Sequence, residues 1–255
     1  MKYFIAFTVV VISTFSALRV FSQNAPISNG LIVFEKKVDV YSFLDTISVI
    51  KGMRDVRERY EQLNPQFKTT LFTLYFNADK TLYEPLQRDQ ESENEVLDFI
   101  GQMASGNIVY TDLSTREFIG LKGVMGKQFL IRDSIRKINW KLKAETRDIA
   151  GFHCHRADAY IMDSLYVIAF FCDQIATQGG PESFTGLPGL ILGVALPKSN
   201  ITWFATKVES RQGNMRSIIP PAKGVAIKAA ELKTSLEKSL KDNVFRRIIL
   251  ENSLL

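Results

Sequence analysis

The chain has 255 residues and a formal net charge of +5. The basic excess lies in residues 222–255, which carry seven basic and four acidic side chains, so the charge does not indicate a nucleic-acid-binding surface. After the first 22 residues no apolar segment approaches the roughly 20 residues that a helix needs to cross a bilayer, so no membrane-spanning helix is expected in the mature chain.

Residues 1–22 have the pattern of a signal peptide. Lys2 precedes an uncharged apolar run, and Ser22 provides the small residue that a cleavage site needs. We therefore expect cleavage before Gln23 and export of the mature chain; the alternative is an uncleaved N-terminal anchor. Residues 23–220 are expected to form one β domain, because no linker rich in Pro, Gly or Ser divides them.

Alternation of apolar and polar residues is the main signal in the body of the chain, and it is typical of half-buried strands. Short polar turns, such as residues 77–80, separate the alternating segments. The expected fold is mainly β: an antiparallel meander that forms a curved sheet, a sandwich or a half-barrel. The predicted strands are residues 30–40, 69–76, 81–83, 107–113, 116–121, 128–132, 139–146, 152–162, 166–172, 190–196 and 201–208.

Two or three helices are expected beside these strands. Apolar residues recur with helical spacing in residues 48–63 and 231–250, and Ser92 with Glu95 forms a capping-box pattern. Residues 221–255 should therefore form a basic amphipathic C-terminal helix. Its apolar face either packs on the sheet or makes a peripheral contact with an anionic membrane or a protein partner.

Residues 179–192 contain four glycines and two prolines, which predict an irregular and tightly turned path. Pro188 and Gly189 suit the two central positions of a type II turn, since proline presets φ and glycine tolerates positive φ. We expect this loop to place Phe184 and Leu187 against the end of the sheet.

Residues 186–191 read GLPGLI, and residues 180–184 read GPESF. These stretches, together with WKL at 140–142, IAGFHC at 149–154 and LYF at 74–76, resemble the sequence pattern of the GLPGLI family. That family consists of exported proteins of Bacteroidetes whose function is unknown.

The resemblance implies a β-rich domain in the periplasm, at the outer-membrane periphery or outside the cell. It implies no reaction. Some family members are associated with TonB-linked outer-membrane systems, so a partner in the cell envelope is expected. The residues of the motif, expected to form a ligand-binding or structural loop, are Gly180, Pro181, Phe184, Gly186, Leu187, Pro188 and Gly189.

Cys154 and Cys172 are the two cysteines of the chain. They lie on consecutive predicted strands and are equally distant from the turn at residue 163, so a simple hairpin places them opposite each other. An even number of cysteines in an exported protein favours a cross-strand disulfide between them.

His153 and His155 would lie on one face of their strand, where two imidazoles can bind Cu(II) or Zn(II). The chain has no other histidine, so further ligands would have to be carboxylates. The alternative is a pair of exposed polar side chains. No other cofactor is expected.

Two functions are compatible with these patterns. The first is a non-catalytic envelope protein that binds an apolar ligand, a peptide or a protein partner through its curved sheet. The second is a metal-binding or redox protein that uses His153, Cys154 and His155. No catalytic residue is predicted, because the sequence contains no G-x-S-x-G motif and no phosphate-binding glycine loop.

Overall fold

A computed structural model describes residues 27–48, 55–86, 107–162, 164–211, 217–240 and 243–255 of the chain. The predicted signal peptide, the capping box at Ser92 and Glu95 and the turn residue Asp163 lie outside these ranges. The predictions made for them therefore stay predictions.

The described residues form one sheet of twelve strands. The expected mainly β class is confirmed, and among the expected forms the sheet is open and curved. The strands are β1 (Gly30–Asp39), β2 (Phe67–Phe76), β3 (Lys80–Pro85), β4 (Ile108–Asp112), β5 (Glu117–Val124), β6 (Lys127–Ser134), β7 (Lys141–Ile149), β8 (Phe152–Ile161), β9 (Leu165–Cys172), β10 (Leu190–Leu196), β11 (Ile201–Ser210) and β12 (Val225–Ile227).

Strand β1 lies in the middle of the sheet and joins two meanders. Their spatial order is β12-β6-β5-β4-β3-β2-β1-β11-β10-β9-β8-β7. All neighbours are antiparallel except β12, which runs parallel to β6. Strand β12 was not predicted, because three residues are too few to show alternation.

One face of the sheet carries the main core. On β1 every second side chain is buried against this face, as Ile32, Phe34 and Val38 show. Helix α1 (Val40–Ile47) and the C-terminal segment add further apolar side chains to the same core. Lys36 occupies the inward position between Phe34 and Val38, so its ammonium group belongs to the interior and not to the surface.

The helix predicted for residues 48–63 is confirmed in part, and residues 49–54 of it lie outside the described ranges. Helix α1 already begins at Val40, because Asp39 caps it: the Asp39 carboxylate accepts a hydrogen bond from Ser42 N at 3.1 Å. Helix α2 (Val56–Glu61) lies in the second half of the predicted segment.

The helical C-terminal segment predicted within residues 221–255 is confirmed, but it is not a single helix. The structure contains two helices, α3 (Ala229–Ser239) and α4 (Asn243–Leu254), because Leu240 takes an extended conformation with ψ of 108°. Leu232 and Leu236 of α3 are buried in one cluster with Val124 of β5, so the apolar face of this helix packs on the sheet. None of the helices in the described ranges is long and apolar enough to cross a membrane.

Replacing Leu232 by alanine should lower the free energy of unfolding by about 2–4 kcal/mol, since it removes buried methyl groups between α3 and the sheet. The exposed Lys238 of the same helix is the control, and Lys238→Ala should change stability by less than about 0.5 kcal/mol. Urea unfolding measures both. Equal stability of the two variants would contradict the packing of α3.

Candidate functional site

The chain between β9 and β10 folds back over the main core face of the sheet. Phe184 and Leu187 are fully buried there. The Phe184 ring meets the Trp203 ring of β11 edge-on, with ring centroids 6.2 Å apart. Trp140 holds the outer side of the loop, where its indole N–H donates to the Thr185 carbonyl at 2.9 Å. The glycine- and proline-rich loop is therefore part of the core.

The type II turn predicted at Pro188 and Gly189 is not formed. Gly189 N donates to the Leu187 carbonyl at 2.8 Å, which closes a tighter, three-residue turn. Leu190 N donates to the Ile175 carbonyl instead. Gly189 has φ of 149°, and a Cβ atom there would lie 2.2 Å from the Cys172 carbonyl oxygen, so this close contact with the end of β9 requires glycine.

The seven motif residues share the loop but not one surface. Gly186 and Pro188 are exposed, whereas the other five are buried. At Gly180 an added Cβ would lie 2.8 Å from the Ile191 Cβ atom. The glycines thus let the loop backbone pack closely against neighbouring residues, so the motif has a structural role in positioning the loop.

The side chain that the sequence analysis missed is Glu182, in the middle of this loop. It is 2% exposed, and its two carboxylate oxygens have different partners. Oε1 lies 3.4 Å from Lys36 Nζ of β1. Oε2 lies 3.6 Å from Lys122 Nζ of β5 and accepts a hydrogen bond from Asn107 Nδ2 at 2.8 Å. We call these four residues the Glu182 cluster.

In the Glu182 cluster, burial and the neighbouring charges shift the pKa values in opposite directions. Burial lowers the pKa of Lys36, and it lowers the pKa of Lys122 to about 8; the Glu182 carboxylate opposes both effects. Burial alone would raise the pKa of Glu182, but the two lysines and the Asn107 hydrogen bond bring it below its usual value. One carboxylate thus faces two buried amines.

Aromatic rings surround the amine of Lys36. Its Nζ atom lies 5.1 Å from the Trp203 ring centroid and 5.9 Å from that of Phe72, and Phe72 stacks on Tyr83 at 4.7 Å. Burial and the nearby Glu182 charge raise the pKa of the Tyr83 hydroxyl well above its usual value. The Glu182 cluster is therefore enclosed by apolar surface, which strengthens its electrostatic interactions.

Two of the cluster residues could have been found in the sequence. Lys36 alternates in phase with Phe34 and Val38, and Lys122 in phase with Val124. A lysine on the apolar face of a strand requires a buried partner. That partner could not be identified, because Glu182 is 146 residues away from Lys36.

Beside the Glu182 cluster, a cavity of about 240 Å³ lies between the sheet, the loop and the C-terminal helices. Two polar atoms at its wall, Ser183 Oγ and Arg136 Nη1, are buried and have no hydrogen-bond partner in the described part of the chain. Arg136 is held in place by Nη2, which donates to the Leu254 carbonyl at 2.5 Å. The lining residues are Phe118, Ile131, Asp133, Ser134, Arg136, Ser183, Ala229, Ser253 and Leu254.

Cys154 and Cys172 occupy successive strands, and the register that pairs His155 with Phe171 brings them to opposite positions. The predicted disulfide is nevertheless not formed in the structure, where both are buried free thiols. The Cys154 thiol donates instead to the Phe152 carbonyl at 3.4 Å. Burial, with Cys172 nearby, raises the pKa of Cys154 to about 12, which leaves its thiol unreactive in this state.

His153 and His155 share one face of β8, with their rings perpendicular and 5.6 Å apart. His153 Nδ1 lies 3.0 Å from the Asp148 carboxylate, close to solvent. Within the described ranges no three potential ligands come close enough together to hold a metal ion. Metal binding by this pair stays a prediction.

Comparison with known proteins gives a family match and a fold match. A family described as "Protein of unknown function (Porph_ging)" matches residues 158–193, from β8 to β10, and so includes the GLPGLI hexapeptide. This match is consistent with the resemblance to the GLPGLI family. No curated protein matches the chain.

Two solved structures, titled "Structure of PNGF-II" in the C2 and P21 space groups, resemble the fold with TM-scores of 0.51 and 0.50. Their sequence identities to this chain are 14% and 15%. The alignments cover 83% of this chain but only 33% and 34% of the PNGF-II chains. This likeness shows the fold alone.

Replacing Glu182 by glutamine should lower the free energy of unfolding by about 3–5 kcal/mol, since it leaves the buried Lys36 ammonium without its carboxylate. Glu145→Gln is the matched control, because Glu145 is 56% exposed and pairs with Arg156 near solvent; its cost should stay below about 1 kcal/mol. Urea unfolding at neutral pH separates the two. A Glu182→Gln variant as stable as the control would refute a structural role for the Glu182 cluster.

Proposed function

We propose that this chain is an exported, non-catalytic binding protein of the bacterial envelope, and that it binds a short apolar carboxylic acid in the cavity beside the Glu182 cluster. The signal-peptide pattern and the GLPGLI resemblance support export. The observation that carries the ligand assignment is the pair of unpartnered buried donors, Arg136 Nη1 and Ser183 Oγ, in a mostly apolar wall.

The two donors match a carboxylate. A buried polar atom without a partner costs roughly 1–3 kcal/mol, and a ligand that accepts from both atoms recovers this cost. A guanidinium nitrogen and a hydroxyl group can each donate to one oxygen of a carboxylate. The only carboxylate among the lining residues, Asp133, accepts hydrogen bonds from Ser134 N and Ala229 N; its charge opposes the lowering of the Arg136 pKa by burial, but it accepts no hydrogen bond from Arg136 Nη1.

The walls and the volume of the cavity restrict the polarity and the size of the ligand beyond its carboxylate. Phe118, Ile131, Ala229 and Leu254 present apolar surface to the cavity, which suits a hydrocarbon chain. Drug-sized ligands occupy pockets of roughly 300–1,000 Å³, and this cavity is smaller. A short-chain or medium-chain fatty acid fits both the charge and the size.

The cavity is also consistent with the expectation that the curved sheet takes part in binding. Phe118 belongs to β5 and Ile131 to β6, so two strands form one of its walls. Near β1 the same face is covered by the loop that carries Phe184. Binding is therefore proposed at the rim of the sheet, where the C-terminal helices meet it.

Octanoate should bind the purified protein, and Arg136→Gln should weaken its affinity by about 10- to 100-fold, which corresponds to the loss of a charge-assisted hydrogen bond. Arg132→Gln is the control, since Arg132 is half exposed and pairs with Glu117 on the surface. Isothermal titration measures both affinities.

Octylamine has the same chain length but the opposite charge, and it should bind at least 10-fold more weakly than octanoate. If octanoate does not bind, or if it binds Arg136→Gln and wild type equally well, the proposed function is wrong.

A further inference from the structure

Asn107 and Lys122 face each other across the β4–β5 hairpin. The register of these strands begins with Ile108 opposite Leu121, and extending it by one residue sets Asn107 beside Lys122. Both side chains contact the same atom, Oε2 of Glu182, at 2.8 Å for Asn107 Nδ2 and 3.6 Å for Lys122 Nζ. An amide, an amine and a carboxylate therefore meet at one point.

This meeting point has the properties of a reaction site. Lys122 is 1% exposed, and its Nζ atom has no hydrogen-bond partner of good geometry among the described residues. Because burial lowers the pKa of Lys122 to about 8, this amine gives up a proton more readily than an exposed lysine and is then nucleophilic. Lys36 contacts the other oxygen, Oε1, and so leaves Oε2 directed at the two reactants.

We propose that Lys122 and Asn107 become joined by an intramolecular amide bond, with Glu182 as the catalytic acid–base residue. Lys122 Nζ forms a bond to Asn107 Cγ, and the bond from Cγ to Nδ2 breaks. Glu182 transfers two protons in turn from Nζ to the leaving nitrogen, which departs as ammonium. The net charge is conserved, no oxidant or cofactor is needed, and Glu182 ends as the carboxylate it was.

The bond would tie the start of β4 to β5 within the core. Asn107 lies just before β4, and Lys122 lies near the end of β5, so the bond closes the open end of this hairpin. A covalent tie of this kind restricts the unfolded chain as a disulfide does, but it is insensitive to reductants. This inference does not depend on ligand binding in the neighbouring cavity.

Mass spectrometry of the purified, denatured full chain tests the proposal. The wild type should weigh one ammonia less than its sequence. Cyclisation of an N-terminal Gln23 would cause the same loss, so the bond must be located by tryptic peptide mapping. Trypsin should not cleave after Lys122, and the peptide that contains it should be linked to the peptide that contains Asn107.

Asn107→Ala, Lys122→Arg and Glu182→Gln should each abolish the linked peptide. Lys127→Arg, an exposed lysine at the start of β6, is the control and should retain it. The peptide map of the wild-type protein tests for the Asn107–Lys122 bond even where a variant fails to fold. Unlinked Asn107 and Lys122 peptides from wild-type protein would overturn the proposal, and a linked peptide that persists in Glu182→Gln would overturn the role of Glu182.

Discussion

The contact of Glu182 with Lys36 and Lys122 is the constraint on which the arrangement of this molecule depends. Strands β1 and β5 lie on either side of β2 to β4, and each directs a lysine amine into the apolar interior. Neither Lys36 nor Lys122 could stay charged there without a carboxylate. The carboxylate comes from the loop between β9 and β10. The charges therefore fix where that loop lies on the sheet.

The position of the loop determines what lies next to it. Glu182 turns its side chain into the core, while the adjacent Ser183 lines the cavity and donates its backbone N–H to the Leu255 carbonyl at 2.9 Å. The end of the C-terminal segment is thereby attached to the same loop. A shift of Glu182 would therefore change both the shape of the cavity and the position of α4 on the sheet. The stability of the core is in this way linked to the proposed binding site.

The strands were predictable because alternation is a local property, and the β2–β3 turn followed from Asn77, whose side chain accepts from the backbone of Asp79 and Lys80. Three features were not recognised. The Asp39 cap that starts α1 was overlooked, and the break at Leu240 carries no proline or glycine signal. The Glu182 cluster was missed because Asn107 is 75 residues from Glu182, and alternation does not reveal which loop covers a face.

The ion pair of Glu182 with Lys36 is tested by a double-mutant cycle on Glu182→Gln and Lys36→Met, with the free energy of unfolding measured for wild type, both single variants and the double variant. We expect a coupling energy above about 2 kcal/mol, because removing the ammonium should relieve much of the cost of removing the carboxylate. Additive effects, with a coupling energy below about 0.5 kcal/mol, would contradict it.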